Sequence, residues 1–485
     1  MTEAVRIKKN SFYSLISIAS RLFANVIVFW LIARVYGPEK FGTFTFSHTT
    51  ATILILLADF GFDILLTTEL SKNIANAKTI FENIFNYKII FSFTAFLIMI
   101  SFGLFLNNDF ETQRFIYVFS FFLLFTTLTN FSSAAIRGFE RFSFESIVSV
   151  VMNLSLILLV LFFVIIKSNL FLIAIIFTLT RIIGFLIASY YLRKLIPNLS
   201  YKLTIPRNSE LQKKVMIFGF NLLFTNLVFQ QDTLLISFFA GNKAVGLYQA
   251  VFKLIVLPLI IPELLNFSLL PVLSRYFEND KDKAIRLASL MYKFLFITAF
   301  PIFLVLYIYP AEIIHLLYGT HSYEESIPIL RIFALNIFVR FVFETFALIL
   351  TTSNRQIVRM YTVISASILN LILNIIFLPK YGIIASAYIA LITIIFIFTI
   401  YTFYSFKLFK EWFFNRKNFI IISVSLLIIF LSRFNNFISV YLGASLIIIL
   451  FAACAIAFFF NPDDKKLIFN TELKINVGAW RILKK

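Results

Sequence analysis

Mostly apolar stretches of about 20 residues, each long enough to cross a hydrocarbon layer of roughly 30 Å as a helix, recur along the whole chain. They fall at residues 12–33, 43–66, 84–106, 115–136, 144–166, 170–192 and 215–240, and again at 245–272, 288–309, 326–350, 358–378, 382–406, 418–432 and 437–460. Fourteen spans use most of 485 residues and leave no room for a large soluble domain. Only 14% of the residues are charged and 60% are hydrophobic, too little polar material for a water-facing surface. The expected fold is therefore an all-α polytopic membrane protein. A single cysteine, Cys454, rules out an internal disulfide or a CxxC pair. The opening MTEAVRIKKN and the apolar run after it differ from a cleavable signal peptide, because the run is long and carries Arg21 at its middle.

Basic residues gather in cytoplasmic loops. With the N-terminus inside, 29 of the 43 Lys and Arg fall on the inner side, counting Arg359 at the inner edge of its span, 7 on the outer side and 7 deeper within spans. Both termini are thus expected in the cytoplasm, and the net charge of +19 reflects topology and anionic headgroups, not nucleic-acid binding.

The connection after span 1 reads Gly37-x4-Gly42-x-Phe44, and that after span 7 reads Gly241-x4-Gly246-x-Tyr248, 204 residues later. The same offset carries Asp59 onto Glu263, and a looser echo joins Arg137 and Arg141 to Arg355 and Arg359. These correspondences imply two six-helix lobes in parallel orientation. The first covers residues 1–192 (spans 1–6) and the second 215–406 (spans 7–12), joined by a cytoplasmic loop at 193–214. Spans 13 and 14 (407–460) and a cytoplasmic tail (461–485) follow. Thr43 after Gly42 rules out a phosphate-gripping P-loop, and no Walker motif, nucleophile elbow or HExxH occurs, so the chain reads as no enzyme.

Cations deep in a span cost about 2.5 to 3.5 kcal/mol on insertion scales, which implies a polar interior where several occur. Arg21, Arg181, Lys253 and Arg340 are such residues. Ser14, Ser17, Arg21 and Asn25 draw one polar stripe along span 1; Asn336, Arg340 and Glu344 align on span 10, and Gln249 with Lys253 on span 8. Arg21, Asn25, Arg181, Lys253 and Arg340 are therefore candidates for lining a cationic cavity suited to a phosphate or pyrophosphate. For Arg340 the alternative is an intramembrane pair with Glu344. Lys88, Lys293 and Arg331 lie near span ends, where snorkelling to the headgroups is expected. Asp232 in span 7, with Asn370 and Asn374 one turn apart in span 11, is a candidate for coupling to Na+ or H+, the alternative being interhelical hydrogen bonding. Asp59 and Glu263 are candidate gate residues or partners of Arg137 and Arg141. His315 and His321 are expected on a solvated outer loop, and no metal site or cofactor is expected.

The segments LIARVYGPEKFGTFTFS (31–47), LADFGFDILLT (57–67), IRGFERF (136–142), QQDTLLISFFAGNKAVGLYQAVFKL (230–254) and NLILNIIFLPKYGIIASAYIAL (370–391) together resemble the polysaccharide-repeat (O-antigen or capsule) flippases, the Wzx/RfbX family of the multidrug/oligosaccharidyl-lipid/polysaccharide exporter superfamily. The resemblance implies two six-helix lobes around a central cavity and two extra C-terminal helices. It implies a flippase of the bacterial inner membrane that moves undecaprenyl-pyrophosphate-linked oligosaccharide units outward by alternating access. Arg21 would then line the head-binding cavity, and Asp232, Asn370 and Asn374 would fall at a cation site, with Asn374 where a second carboxylate is expected. The lipid-linked oligosaccharide, membrane lipids and the polysaccharide polymerase machinery are the implied partners. A lipid II flippase and a drug or cation antiporter of the same superfamily are the alternatives.

Overall fold

The computed structural model describes residues 3–105, 109–197, 199, 209–319, 321–353, 355–413, 422–424, 426–429 and 440–454. Among them there is helix and no strand, the expected outcome where lipid cannot satisfy backbone polar groups and each helix satisfies its own. The helices are α1 (Glu3–Asp59), α2 (Phe62–Lys72), α3 (Ala77–Phe105), α4 (Phe110–Gly138), α5 (Phe142–Ile165), α6 (Leu170–Leu195), α7 (Ser209–Val256), α8 (Ile260–Asn279), α9 (Lys281–Ile308), α10 (Pro310–Tyr318), α11 (Ser326–Thr352), α12 (Gln356–Tyr381), α13 (Ile383–Phe413) and α14 (Val440–Cys454). Nine described helices are long and apolar enough to cross a membrane, or ten if the broken pair Gln230–Val256 and Ile260–Asn266 is one span. The chain is a multi-pass membrane protein. Most of expected span 13 lies outside the described residues.

The chain forms two compact units, Met1–Lys253 with Asn374–Ile383, and Leu254–Leu373 with Ile384–Lys485. In the first, α1 breaks at Gly37 (φ 75°, ψ 172°) and α7 breaks at Gly241 (φ 80°, ψ 177°). These left-handed angles favour glycine, and their near identity at an offset of 204 residues gives the repeat seen in sequence a structural counterpart. The second glycine of each motif serves a different purpose. A Cβ on Gly42 would lie 1.7 Å from the Asn242 carbonyl oxygen, and one on Gly246 would lie 1.8 Å from that of Pro38. Pro38 and Asn242 are themselves repeat equivalents, so the two turns pack backbone to backbone with two-fold reciprocity. Asn242 secures the crossing by donating from Nδ2 to Asp109 Oδ2 (3.1 Å) and Thr112 Oγ1 (2.9 Å).

Two expectations need correction. Span 2 is not one helix: Phe60 (φ 28°) and Gly61 (φ 82°) separate α1 from α2. The outer segment bearing His315 is not loop, because Pro310 starts α10 there and Gly319 (φ 85°) ends it.

Aromatic side chains fill both cores. In the first unit Phe44 meets Phe119 and Phe177 edge-to-face at 5.2 Å each; in the second, Phe300 of α9 packs on Phe338 of α11 at 4.6 Å and stacks on Phe451 of α14 at 5.7 Å. Such pairs add about 0.5 to 1.5 kcal/mol each beyond their buried area.

Candidate functional site

Five helical segments of the first unit converge on a cavity of about 230 Å³. Each supplies residues one turn apart, and so on one face: Arg21 and Asn25 before the α1 break, His48 and Thr52 after it, Phe122, Thr126 and Asn130 from α4, and Phe177 and Arg181 from α6; α5 adds Asn153. Among the described residues, the wall carries two guanidinium groups and no carboxylate.

Arg181 is held without a counter-ion. Its guanidinium stands 5.2 Å from the Phe122 ring centre, its Nη1 contacts Met152 Sδ at 3.0 Å, and its Nε has no partner. Arg21 projects into the same space and repels it electrostatically. Lys253 sits behind the wall with its Nζ 4.0 Å over the Phe29 ring. None of the three is in an ion pair among the described residues. Uncompensated cations of one sign in a low-dielectric setting make the site complementary to a polyanion.

Of the expected cavity residues, Arg21, Asn25 and Arg181 thus share one pocket, with Lys253 adjacent to it. Arg340 lies in the second unit, where Glu344 and Glu263 are its electrostatic neighbours and Glu344 accepts from Asn266 Nδ2. His48, Thr126, Asn130 and Asn153 were missed by sequence reasoning. The available signal was the spacing Thr126 to Asn130 inside an apolar span.

Asp232 is buried; Tyr248 donates to its Oδ2 at 2.7 Å and Asn374 Nδ2 to its Oδ1 at 3.1 Å. Tyr248 is the aromatic residue of the second glycine motif. Asn370 Nδ2 donates to Thr393 Oγ1 at 3.4 Å within the second unit. A buried carboxylate held by neutral donors can exchange a proton or accept a small cation in place of one donor.

Near the α1–α2 break, Lys88 of α3 is wholly buried and does not snorkel. It pairs with Asp59 and, at 3.1 Å, with Asp63. Asp59 accordingly pairs with neither Arg137 nor Arg141; Arg137 instead faces Glu145 at 3.6 Å. Asn130 lies beside Asp59 as well as lining the cavity. Glu263 is exposed in the second unit, as is Arg331, whereas Lys293 is half-buried. His321 is exposed beside Glu324, and no group of three metal-binding side chains occurs among the described residues.

A family model described as "Polysaccharide biosynthesis protein" matches residues 7–277, and one described as "MatE" matches residues 218–376. No curated protein matches the chain in sequence. Among solved structures, "Lipid II flippase MurJ, inward closed conformation" is similar at 18% identity, covering 91% of this chain and 98% of that one, with a TM-score of 0.72. An inward-facing multidrug resistance MATE transporter of the MOP superfamily is similar at 11% identity, covering 82% and 99%, with a TM-score of 0.62. A MOP superfamily transporter from Pyrococcus furiosus Vc1, described as having reverse polarity of its binding pocket, is similar at 11% identity, covering 82% and 93%, with a TM-score of 0.57. At these identities the likeness shows a shared fold.

Proposed function

The chain belongs to the polysaccharide biosynthesis protein family, and on that premise we propose that it is a flippase for undecaprenyl-pyrophosphate-linked oligosaccharide repeat units of an O-antigen or capsule. The observation that carries the reading is the pair Arg21 and Arg181, which face one cavity with no carboxylate among its described lining residues. A pyrophosphate relieves their mutual repulsion, and charge-assisted hydrogen bonds to guanidinium are the strong ones. The cavity lowers the barrier that a hydrated head meets in hydrocarbon, while the polyprenyl chain remains in lipid.

In this reading the protein lies in the bacterial inner membrane with both termini cytoplasmic, and alternating access exposes the cavity first inward and then outward. Asp232 with Asn374 serves coupling to Na+ or H+, and Asp59 and Glu263 act at gates. Delivery to the polymerase machinery removes the product. The two arginines, with no carboxylate among the described lining residues, speak against a cationic drug as cargo, and the fold shared with a lipid II flippase makes lipid II the second reading.

Deletion followed by glycan analysis tests the proposal. Lipid-linked repeat units should accumulate in the cytoplasmic leaflet and surface polymer should vanish, with both restored by the chain. Normal polymer in a deletion strain without a redundant flippase would overturn it, and rescue of a lipid II flippase deletion alone would favour the second reading.

A further inference from the structure

Within the first unit, α1 and α7 meet at two levels. At one, the glycine turns 37–42 and 241–246 cross backbone to backbone, and Asn242 is bonded to Asp109 and Thr112. The other lies eighteen residues beyond Gly42, about 27 Å along a helix at 1.5 Å per residue, where Phe60 follows the last turn of α1. A Cβ on Gly219 of α7 would stand 2.5 Å from Phe60 Cε1, so the ring rests on bare backbone. Between the two levels α1 contributes His48, Thr52 and Ile55 to the cavity wall. The cavity is thus bounded along α1 by a backbone crossing at one end and by an aromatic ring at the other.

The two contacts differ in kind. The glycine crossing is reciprocal and made of backbone, which cannot rotate away. The contact on Gly219 is made by a side chain, which leaves when its rotamer changes or the chain beneath it unbends. Phe60 is 7% exposed, and its ring centre lies 5.6 Å from that of Phe91 in α3. Its φ of 28° is sparsely populated for a bulky residue, and such a conformation persists only where its surroundings over-determine it. Lys88 does so here. Its ammonium pairs with Asp59 on one side of the break and with Asp63 on the other, so one buried cation clasps both arms of the bend. Strain held in this way gathers at elements that switch.

We propose that Phe60 is the inner gate of the cavity. Its ring on Gly219 closes the cytoplasmic end, the bend at Phe60 and Gly61 is the hinge, and Lys88 clasps that hinge in the closed state. The inference rests on the function and topology proposed above, which put this end of α1 in the cytoplasm. It deepens them by assigning the closing surface to the ring next to Asp59 and by making Asp59 a positioning residue. Glycine at 219 is what lets the ring span the gap between the repeats. The glycine crossing has no side chain to withdraw and stays joined while the inner end parts.

The test reads accessibility and transport separately, in full-length protein carrying Cys454→Ser, which removes the one native cysteine. Ile55→Cys then reports on the cavity wall through its labelling by a membrane-impermeant maleimide applied to either face of oriented vesicles. Phe60→Ala removes the closing ring and Gly219→Ala displaces it. Each should raise labelling from the cytoplasmic face about tenfold, as a population shift from closed to open, and leave labelling from the other face unchanged. In a second arm, Phe60→Cys with Gly219→Cys is joined by a short bifunctional methanethiosulfonate and assayed in proteoliposomes with a fluorescent polyprenyl-pyrophosphate-linked oligosaccharide. The linked form should transport at less than about a tenth of the rate recovered after reduction. Unchanged labelling in both Phe60→Ala and Gly219→Ala, labelling raised from both faces, or a linked form that transports at the reduced form's rate overturns the gate and leaves the flippase reading standing. Failure of the wild type to move the lipid overturns the flippase reading, and the labelling arm still decides the gate because it needs no cargo.

Discussion

Gly42 rests against the backbone carbonyl of Asn242, and Gly246, its counterpart 204 residues on, rests against that of Pro38. Each repeat thus inserts its second glycine into the turn of the other. Neither position has space for a methyl group, and the opposing atoms are backbone, which cannot rotate away.

Gly42→Ala and Gly246→Ala should therefore be equivalent lesions. Each forces the turns apart at a cost of about 1 to 3 kcal/mol, read as a lowered Tm of the purified protein. Gly37→Ala meets open space and carries only the strain of its positive φ with extended ψ, about 1 to 3 kcal/mol. A Tm unchanged in Gly42→Ala would show that the close approach does not hold the fold.

Lys88→Met leaves the half-buried Asp59 and Asp63 without the cation they share. Breaking a buried pair in this way costs about 3 to 5 kcal/mol, so thermal stability should drop sharply. Removing the carboxylates as well, in Lys88→Met with Asp59→Asn and Asp63→Asn, should recover much of the loss. No recovery in the triple variant would assign the damage to packing around Lys88.

Tyr248→Phe removes a donor to Asp232 and should cost about 1 kcal/mol of stability with transport retained. Asp232→Asn removes the charge. If Asp232 couples transport to an ion gradient, dissipating that gradient should slow the wild type and leave Asp232→Asn unaffected. Equal sensitivity of both would exclude Asp232 from coupling.

The span pattern and the repeat were legible because both are local: apolar length announces a helix, and Gly-x4-Gly announces a turn wherever it recurs. The reciprocity of those turns was not, since spacing says nothing of what a glycine touches. Lys88 was misjudged for a related reason. Its distance from a span end suggested snorkelling, but the break at Phe60 and Gly61 folds Asp59 and Asp63 onto it. His48, embedded among phenylalanines, gave no sign of its place in a polar cavity, because that cavity exists only where five segments distant in sequence converge. Arg21 and Arg181 were visible because a cation within an apolar span stands out on its own.

The central claim is that Arg21 and Arg181 grip the pyrophosphate of a lipid-linked sugar during transport. Its most direct test is the rate at which the protein in proteoliposomes moves a fluorescent polyprenyl-pyrophosphate-linked oligosaccharide between leaflets. Loss of a charge-assisted contact worth about 1.5 to 3 kcal/mol at each arginine predicts that Arg21→Ala with Arg181→Ala falls below about a tenth of the wild-type rate, with unaltered Tm. A double variant transporting at the wild-type rate would contradict the account.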